Sequence, residues 1–273
     1  MRRLVLALVL GVSASLGASD VGRDKGTLVI ALPPGTQQPA ADTPRIDVGP
    51  NIRVSPDTLR WPLTEPYVVA HPTNPQHLLA AAILASPSDG VYGDQACVSF
   101  VSDDGGLTWS APHSFGFGIC ADPWLALRED GVALFVGLED GLIHVFRSED
   151  GGRTWLEVPL PAGFGRAHDR PTLAVDTSAG PSAGSFYLLS ILAGRSATKR
   201  QIVRVHLARS RDGGKTFEQP LLVQPSNLNL NTFTPAILSD GTLLVSFGDF
   251  QSNVDDFRDK GRSGAPAVLG SGF

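Results

Sequence analysis

The stretch Ser102-Asp103-Asp104-Gly105-Gly106-Leu107-Thr108-Trp109 decides the reading of this chain, because it returns twice without gaps. The second copy is Ser148-Glu149-Asp150-Gly151-Gly152-Arg153-Thr154-Trp155, and the third is Ser210-Arg211-Asp212-Gly213-Gly214-Lys215-Thr216-Phe217. The shared form is S-x-D-G-G-x-T-[WF]. In such a segment the Asp carboxylate accepts backbone N–H groups of its own turn, the paired glycines admit positive φ, and the Ser and Thr hydroxyls tie down the ends. The closing aromatic residue supplies an apolar anchor between neighbouring sheets. A calcium role for Asp104, Asp150 and Asp212 is the alternative, and each copy lacks the several convergent oxygens that such an ion takes.

A second repeat is interleaved with the first. Its copies are Glu65-Pro66-Tyr67-Val68-Val69-Ala70, Asp122-Pro123-Trp124-Leu125-Ala126-Leu127, Asp169-Arg170-Pro171-Thr172-Leu173-Ala174 and the weaker Thr234-Pro235-Ala236-Ile237-Leu238, with the prolines 57, 48 and 64 residues apart. Two motifs in fixed order at this period predict a four-stranded unit repeated around an axis. In the second unit the strands are expected at 124–127, 132–138, 142–147 and near 156–160, with a tight Glu139-Asp140-Gly141 hairpin turn between the second and third. Nothing after the first residues shows sustained helical periodicity.

With three S-x-D-x-G-x-T-W-like copies, the chain resembles the sialidase-like Asp-box (BNR repeat) β-propellers from about Glu65 to Phe250. The resemblance implies an all-β fold of four-stranded antiparallel blades, with structural Asp-boxes at the periphery, away from any active site. Three complete blades and part of a fourth are expected, either as a shortened reading of a six- or seven-bladed propeller or as a four-bladed ring completed by strands near Leu28–Leu32 and Ile52–Val54. An incomplete ring predicts self-association through its uncovered edge. Sialidases of this type use an arginine triad, a Tyr nucleophile with a Glu, and an Asp acid/base. Arg45-Ile46-Asp47 lacks the proline of their Arg-Ile-Pro motif, and Tyr67, Tyr92 and Tyr187 all fall within the first three units, so those catalytic residues are not carried over.

Chemistry is expected where the outer strand of one blade leads into the inner strand of the next. Glu65, Asp122 and Asp169 are read as occupying that place in successive units, which makes them the candidate catalytic carboxylates of a channel mouth. Arg170, with Arg166 and His168, is the candidate ligand-binding set, able to hold an anionic sugar or ionise the carboxylates. The competing reading is that a carboxylate beside each proline caps local backbone N–H groups and repeats because the architecture does. His71 and His77 flank Pro72-Thr73-Asn74-Pro75-Gln76, which reads as a hydrogen-bonded turn; with no third ligand nearby, neither a metal nor any other cofactor is expected.

The 273 residues carry 22 Lys+Arg against 27 Asp+Glu, a net charge of −5, with 42% hydrophobic residues, 30 Gly and 21 Pro. That composition fits a folded, turn-rich chain and excludes an electrostatic nucleic-acid footprint. Residues 1–18 combine Arg2-Arg3, an apolar run and small residues near Gly17-Ala18, the layout of a secretory signal, with a short amphipathic core helix as the alternative. The apolar run is too short for a membrane anchor. Residues 19–60 form an amino-terminal segment with edge strands, and 61–273 the propeller. A secreted or periplasmic location favours a Cys97–Cys120 disulfide over two buried free thiols. The function classes left are a sialidase-like glycan hydrolase, inactive if the chain is shortened, and a non-catalytic propeller that binds a glycan or protein ligand.

Overall fold

A computed structural model of the chain describes residues 49–57, 59, 61–85, 95–116, 118–165, 167–195, 201–222, 230–232, 234–245 and 247–249. Each of the first three repeats folds into one four-stranded antiparallel sheet, and no helix occurs among the described residues. Blade 1 is β1 (Leu63–Ala70), β2 (Leu78–Ala85), β3 (Gln95–Ser102) and β4 (His113–Ser114). Blade 2 is β5 (Cys120–Leu127), β6 (Ala133–Glu139), β7 (Leu142–Ser148) and β8 (Leu156–Val158). Blade 3 is β9 (His168–Val175), β10 (Phe186–Arg195), β11 (Gln201–Ser210) and β12 (Leu221–Leu222). Two short ladders follow, β13 (Leu230–Thr232) with β16 (Phe247–Asp249), and β14 (Ala236–Ile237) with β15 (Leu243–Leu244).

The hairpins form where the turn chemistry demands them. Between β6 and β7, Asp140 and Gly141 both have positive φ (46° and 75°) and Glu139 pairs with Leu142, the two-residue geometry that matches strand twist. The expected strands are recovered, but β5 starts four residues before Trp124 and carries Asp122-Pro123 inside it. Residues Ile52–Val54 are not a strand, so among the described residues they add nothing to a sheet; Leu28–Leu32, the proposed signal and Tyr92 lie outside the described residues.

The blades pack face to face. One cluster joins blades 1 and 2 through Leu79, Val101, Leu125 and Phe135, with Trp155 against it. A second joins blades 2 and 3 through Leu134, Val145, Phe186 and Phe217. A third joins Leu189 and Val205 of blade 3 to Leu243 and Val245. Trp155 and Phe217, the closing aromatics of their motifs, therefore lie between blades as expected. Trp109, half-buried like Trp155, differs in joining neither interblade cluster, and its indole N–H donates to Gly106 O (3.1 Å).

The eight-residue turns have one geometry. In the first, Thr108 N–H and Oγ–H donate to the two oxygens of Asp104 (2.8 and 2.6 Å). Ser102 Oγ donates to Asp104 (2.8 Å) and accepts Gly106 N–H (2.9 Å). The Ser and Thr contacts recur at Asp150 and at Asp212. Thr108's hydroxyl and N–H hold Asp104 down to about 2; at Asp150 and Asp212 burial pushes upward, but the Thr and Ser bonds outweigh it and the value is again about 2. Because these values lie below the unfolded one near ~4, the stabilisation is complete above that pH and is lost as pH falls towards 2.

These turns also fasten one blade to the next. A Cβ on Gly152 of blade 2 would come within 2.5 Å of Leu79 Cδ2 on β2, and one on Gly214 of blade 3 within 2.5 Å of Leu134 Cδ2 on β6. Arg153 of the second turn reaches both oxygens of Asp103 in the first (2.7 Å each), and Asp103 also bonds His77 Nδ1 (2.7 Å). Arg147 Nε–H donates to Gly213 O of the third turn (2.6 Å). Cys97 of β3 and Cys120 of β5, both buried, form the expected disulfide between blades 1 and 2, with Cα atoms 5.4 Å apart.

Two glycines separate the backbone cost from the packing cost. Gly131 has φ +84° with nothing within 4 Å of an added Cβ, whereas Gly152 has φ +85° and meets buried Leu79. Gly131→Ala is expected to destabilise by about 1 kcal/mol and Gly152→Ala by roughly 3 kcal/mol or more, measured by urea unfolding. Equal costs would mean that the turn does not press on the preceding blade.

Candidate site at the channel mouth

The inner strands β1, β5 and β9 each carry a bulge before a proline. Register slips between Thr64 and Tyr67 and between Ala121 and Trp124, and in blade 3 Asp169 pairs with Ile191 while Thr172 pairs with Leu189. The residue before proline has positive φ in all three: Glu65 49°, Asp122 50° and Arg170 48°. Proline suits the next position because it needs no ladder partner for an N–H it lacks. The left-handed residue costs of order 1–3 kcal/mol, and the bulge turns its side chain away from the sheet ladder.

This corrects the expected alignment of the third unit. Arg170, not Asp169, is equivalent to Glu65 and Asp122; Asp169 corresponds to Thr64 and Ala121, one residue earlier. Aligning the repeats on the proline rather than on the carboxylate reveals this in the sequence itself.

The bulge leaves an N–H free of the ladder, and the preceding blade's carboxylate takes it. Asp122 N–H donates to Glu65 Oε2 (3.1 Å), and Arg170 N–H donates to Asp122 Oδ2 (3.1 Å). Arg170 N–H is shared with Asp169 Oδ1 (3.0 Å), which draws Asp169 to within hydrogen-bonding reach of Asp122. The three candidate carboxylates are thus brought together around the axis. Glu65 and Asp122 cap an N–H of the next blade rather than a local one, and in doing so the carboxylates approach one another.

Burial pushes the Asp122 carboxyl up, and the charges of Asp169 and then Glu65 add to it against the pull of the Arg170 N–H, giving about 6. Asp122 therefore holds a proton under conditions in which an ordinary aspartate has lost it, with Asp169 placed to share that proton. One layer in from the mouth, Tyr67 stacks on Trp124 (centroids 3.9 Å apart), and Trp124 Nε1–H donates to Leu173 O (3.1 Å). Beyond lies a channel cavity of about 320 Å³, bordered by Val69, Leu125, Leu127, Leu173, Thr177 and Ile237.

The remaining candidates are placed differently. Arg170 is exposed at the mouth. His168 is only 3% exposed; its Nδ1 pairs with Ser190 Oγ (2.9 Å) and its ring lies 5.3 Å from Phe164, so it packs inside blade 3 rather than reaching a ligand. Burial, then the His206 charge, pushes His168 down to about 4. Arg166 lies outside the described residues. His71 Nδ1 accepts the N–H groups of Thr73 and Asn74 (3.3 and 3.1 Å), as a turn residue should. Among the described residues no three His, Cys, Asp or Glu side chains are grouped to hold a metal.

The eight-residue turns sit at the far end of the strands from these carboxylates: Cys120 pairs with Glu139 near Asp122, while Leu127 and Ser148 both pair with Ala133 at the other end. The repeat is the BNR/Asp-box repeat. The family model of that description matches residues 100–111, the first copy. No curated protein matches the chain. A solved protein of unknown function from Dyadobacter fermentans is similar over 68% of this chain and 61% of its own, at 20% identity and TM-score 0.45. The GH74 xyloglucanase from Xanthomonas campestris is similar over 67% of this chain and 26% of its own, at 20% identity and TM-score 0.45. For the GH43 endo-arabinanase from Bacillus licheniformis the values are 68%, 73%, 12% and 0.41. The chain thus spans about three fifths of the first of these proteins and about a quarter of the second.

Asp122's raised value has a thermodynamic consequence. An aspartate whose folded value (about 6) exceeds its unfolded one (near ~4) makes the native state bind more protons than the unfolded state between those limits, so stability falls as pH rises across that window. Asp122→Asn removes this penalty. After discounting for partial exposure, the variant is expected to be about 1–2 kcal/mol more stable than the parent at pH 7–8 and equal to it near pH 4. A stability difference independent of pH, read from urea unfolding, would show that Asp122 titrates normally.

Proposed function

We propose that this Asp-box propeller is an exported, glycan-directed protein that engages its ligand at the channel mouth, with Asp122 presenting a proton to a sugar oxygen. The observation that carries the reading is the convergence at the mouth, where Asp122 N–H donates to Glu65 Oε2 (3.1 Å) and Arg170 N–H is shared between Asp122 Oδ2 (3.1 Å) and Asp169 Oδ1 (3.0 Å), with the enclosed Asp122 carboxyl pushed up to about 6. A carboxyl that keeps its proton offers a donor, and the acidic oxygens beside it offer acceptors, the pairing that hydroxyl-rich ligands need. The exposed Arg170 adds a donor at the same rim and favours a glycan bearing a carboxylate.

Hydrogen-bonding reach is too short for Asp122 and Asp169 to flank a scissile bond as acid and nucleophile, which takes about 5 Å or more. A hydrolytic reading therefore requires Asp122 as the acid with Glu65, one blade away, as the opposing carboxylate. Binding without turnover is the expectation, because Glu65 is already engaged with the Asp122 N–H. Export is supported by the interblade disulfide, and among the described residues no helix is long and apolar enough to cross a membrane.

The test is a glycan array at pH 5 and pH 8, followed by assays with a fluorogenic sialoside and neutral fluorogenic glycosides. Binding to a glycan that weakens about tenfold or more on going from pH 5 to pH 8, and that loses this dependence in Asp122→Asn, is expected. Turnover abolished by both Asp122→Asn and Glu65→Gln would replace the binding reading with hydrolysis. Glycan binding insensitive to Asp122→Asn and to Arg170→Ala would remove the mouth as the site.

A further inference from the structure

Away from the mouth, on the Asp-box side of the strands, a cleft of about 560 Å³ opens between the outer part of blade 1 and the Asp-box of blade 2. Its size lies within the range of small-molecule sites. Ser99, Thr108, Trp109 and His113 from blade 1 line it together with Asp103 and with Arg153 from blade 2. We propose that this cleft is a second carbohydrate site, one that takes an uncharged sugar ring.

Ser99 supplies the first argument. It is only 1% exposed, lies on β3 and lines the cleft, yet its Oγ finds no hydrogen-bond partner among the described residues. A buried hydroxyl left in this state is held ready for a ligand's polar group. Trp109 supplies the second. Its indole is anchored by the Nε1–H bond to Gly106 O (3.1 Å), and it contributes a flat apolar surface to the wall of the same cleft. A sugar ring presents an apolar face of C–H groups and a rim of hydroxyls, which matches an aromatic wall above a hydroxyl floor.

The charges select against ions. Arg153 gives one guanidinium nitrogen to both oxygens of Asp103 (2.7 Å each) and the other to Asp150 O (2.7 Å), so this pair of opposite charges is already spent on each other. An anion would meet Asp103 and a cation would meet Arg153, while a hydroxyl can use the carboxylate's remaining lone pairs. The Asp104 carboxylate is turned to Thr108 and Ser102. Burial lowers the His113 value, which favours its uncharged imidazole.

The test follows the tryptophan indole N–H signals of the full chain by NMR while maltotriose, cellotriose, xylotriose or mannotriose is added. Four tryptophans give four candidate signals, and spectra of Trp109→Ala and Trp124→Phe identify two of them. At least one trisaccharide is expected to shift the Trp109 signal and leave Trp124 in place, with Kd raised about tenfold or more by Ser99→Val. Ser99→Val keeps Trp109 in the sequence, so it carries the test even if Trp109→Ala fails to fold. A shift at Trp124 instead of Trp109, an affinity unchanged by Ser99→Val, or no shift with any of the four at roughly 10 mM would overturn the proposal. Loss of mouth binding in the array experiment leaves this result untouched, because the two sites use different residues at opposite ends of the strands.

Discussion

The fit of one glycine against one leucine governs this architecture. Gly152 closes on Leu79 and Gly214 on Leu134, each at a distance that leaves no room for a Cβ. Such an approach needs a backbone fixed in a left-handed turn, and the Asp-box carboxylate does the fixing by accepting a Thr N–H, a Thr hydroxyl and a Ser hydroxyl together. The closing aromatic then lands between sheets, as Trp155 and Phe217 do. Where the described residues place no earlier blade against the first turn, Trp109 joins no interblade cluster and borders a cleft instead.

Registration at the Asp-box end positions the other end. With neighbouring blades held in register, the bulges of β1, β5 and β9 come level, and the pre-proline N–H groups of Asp122 and Arg170 meet the carboxylate of the preceding blade. The strained backbone at Glu65, Asp122 and Arg170 is offset by these cross-blade bonds and by the disulfide that ties β3 to the start of β5. Burial of Asp122, with the charges of Asp169 and Glu65 nearby, raises its proton affinity, and the chemistry of the mouth follows from that enclosure.

Much of this is legible in the sequence because it is periodic. The S-x-D-G-G-x-T-[WF] copies and the acid-proline copies, in alternation, specify four-stranded units, and Asp140-Gly141 announces its hairpin. The register of the third inner strand is less legible: in Asp169-Arg170-Pro171 the eye follows the carboxylate, whereas the bulge follows the proline, since only proline dispenses with the ladder N–H. His168 looked like part of the mouth because it neighbours Asp169, but alternation along a strand sends successive side chains to opposite faces and buries it. The cleft beside Trp109 carries no sequence signature, because it arises from two Asp-boxes in different blades meeting through Asp103 and Arg153.

The central claim is that the blade-to-blade arrangement holds a proton on Asp122. Carbon-13 NMR of aspartate carboxyls in the full chain, titrated from pH 3 to pH 8 and assigned by the signal that Asp122→Asn removes, tests it most directly. The account predicts that this carboxyl titrates with a midpoint near 6, displaced well above the aspartates of the Asp-boxes, whose values lie at about 2. A midpoint near the ordinary ~4 for that signal would contradict it.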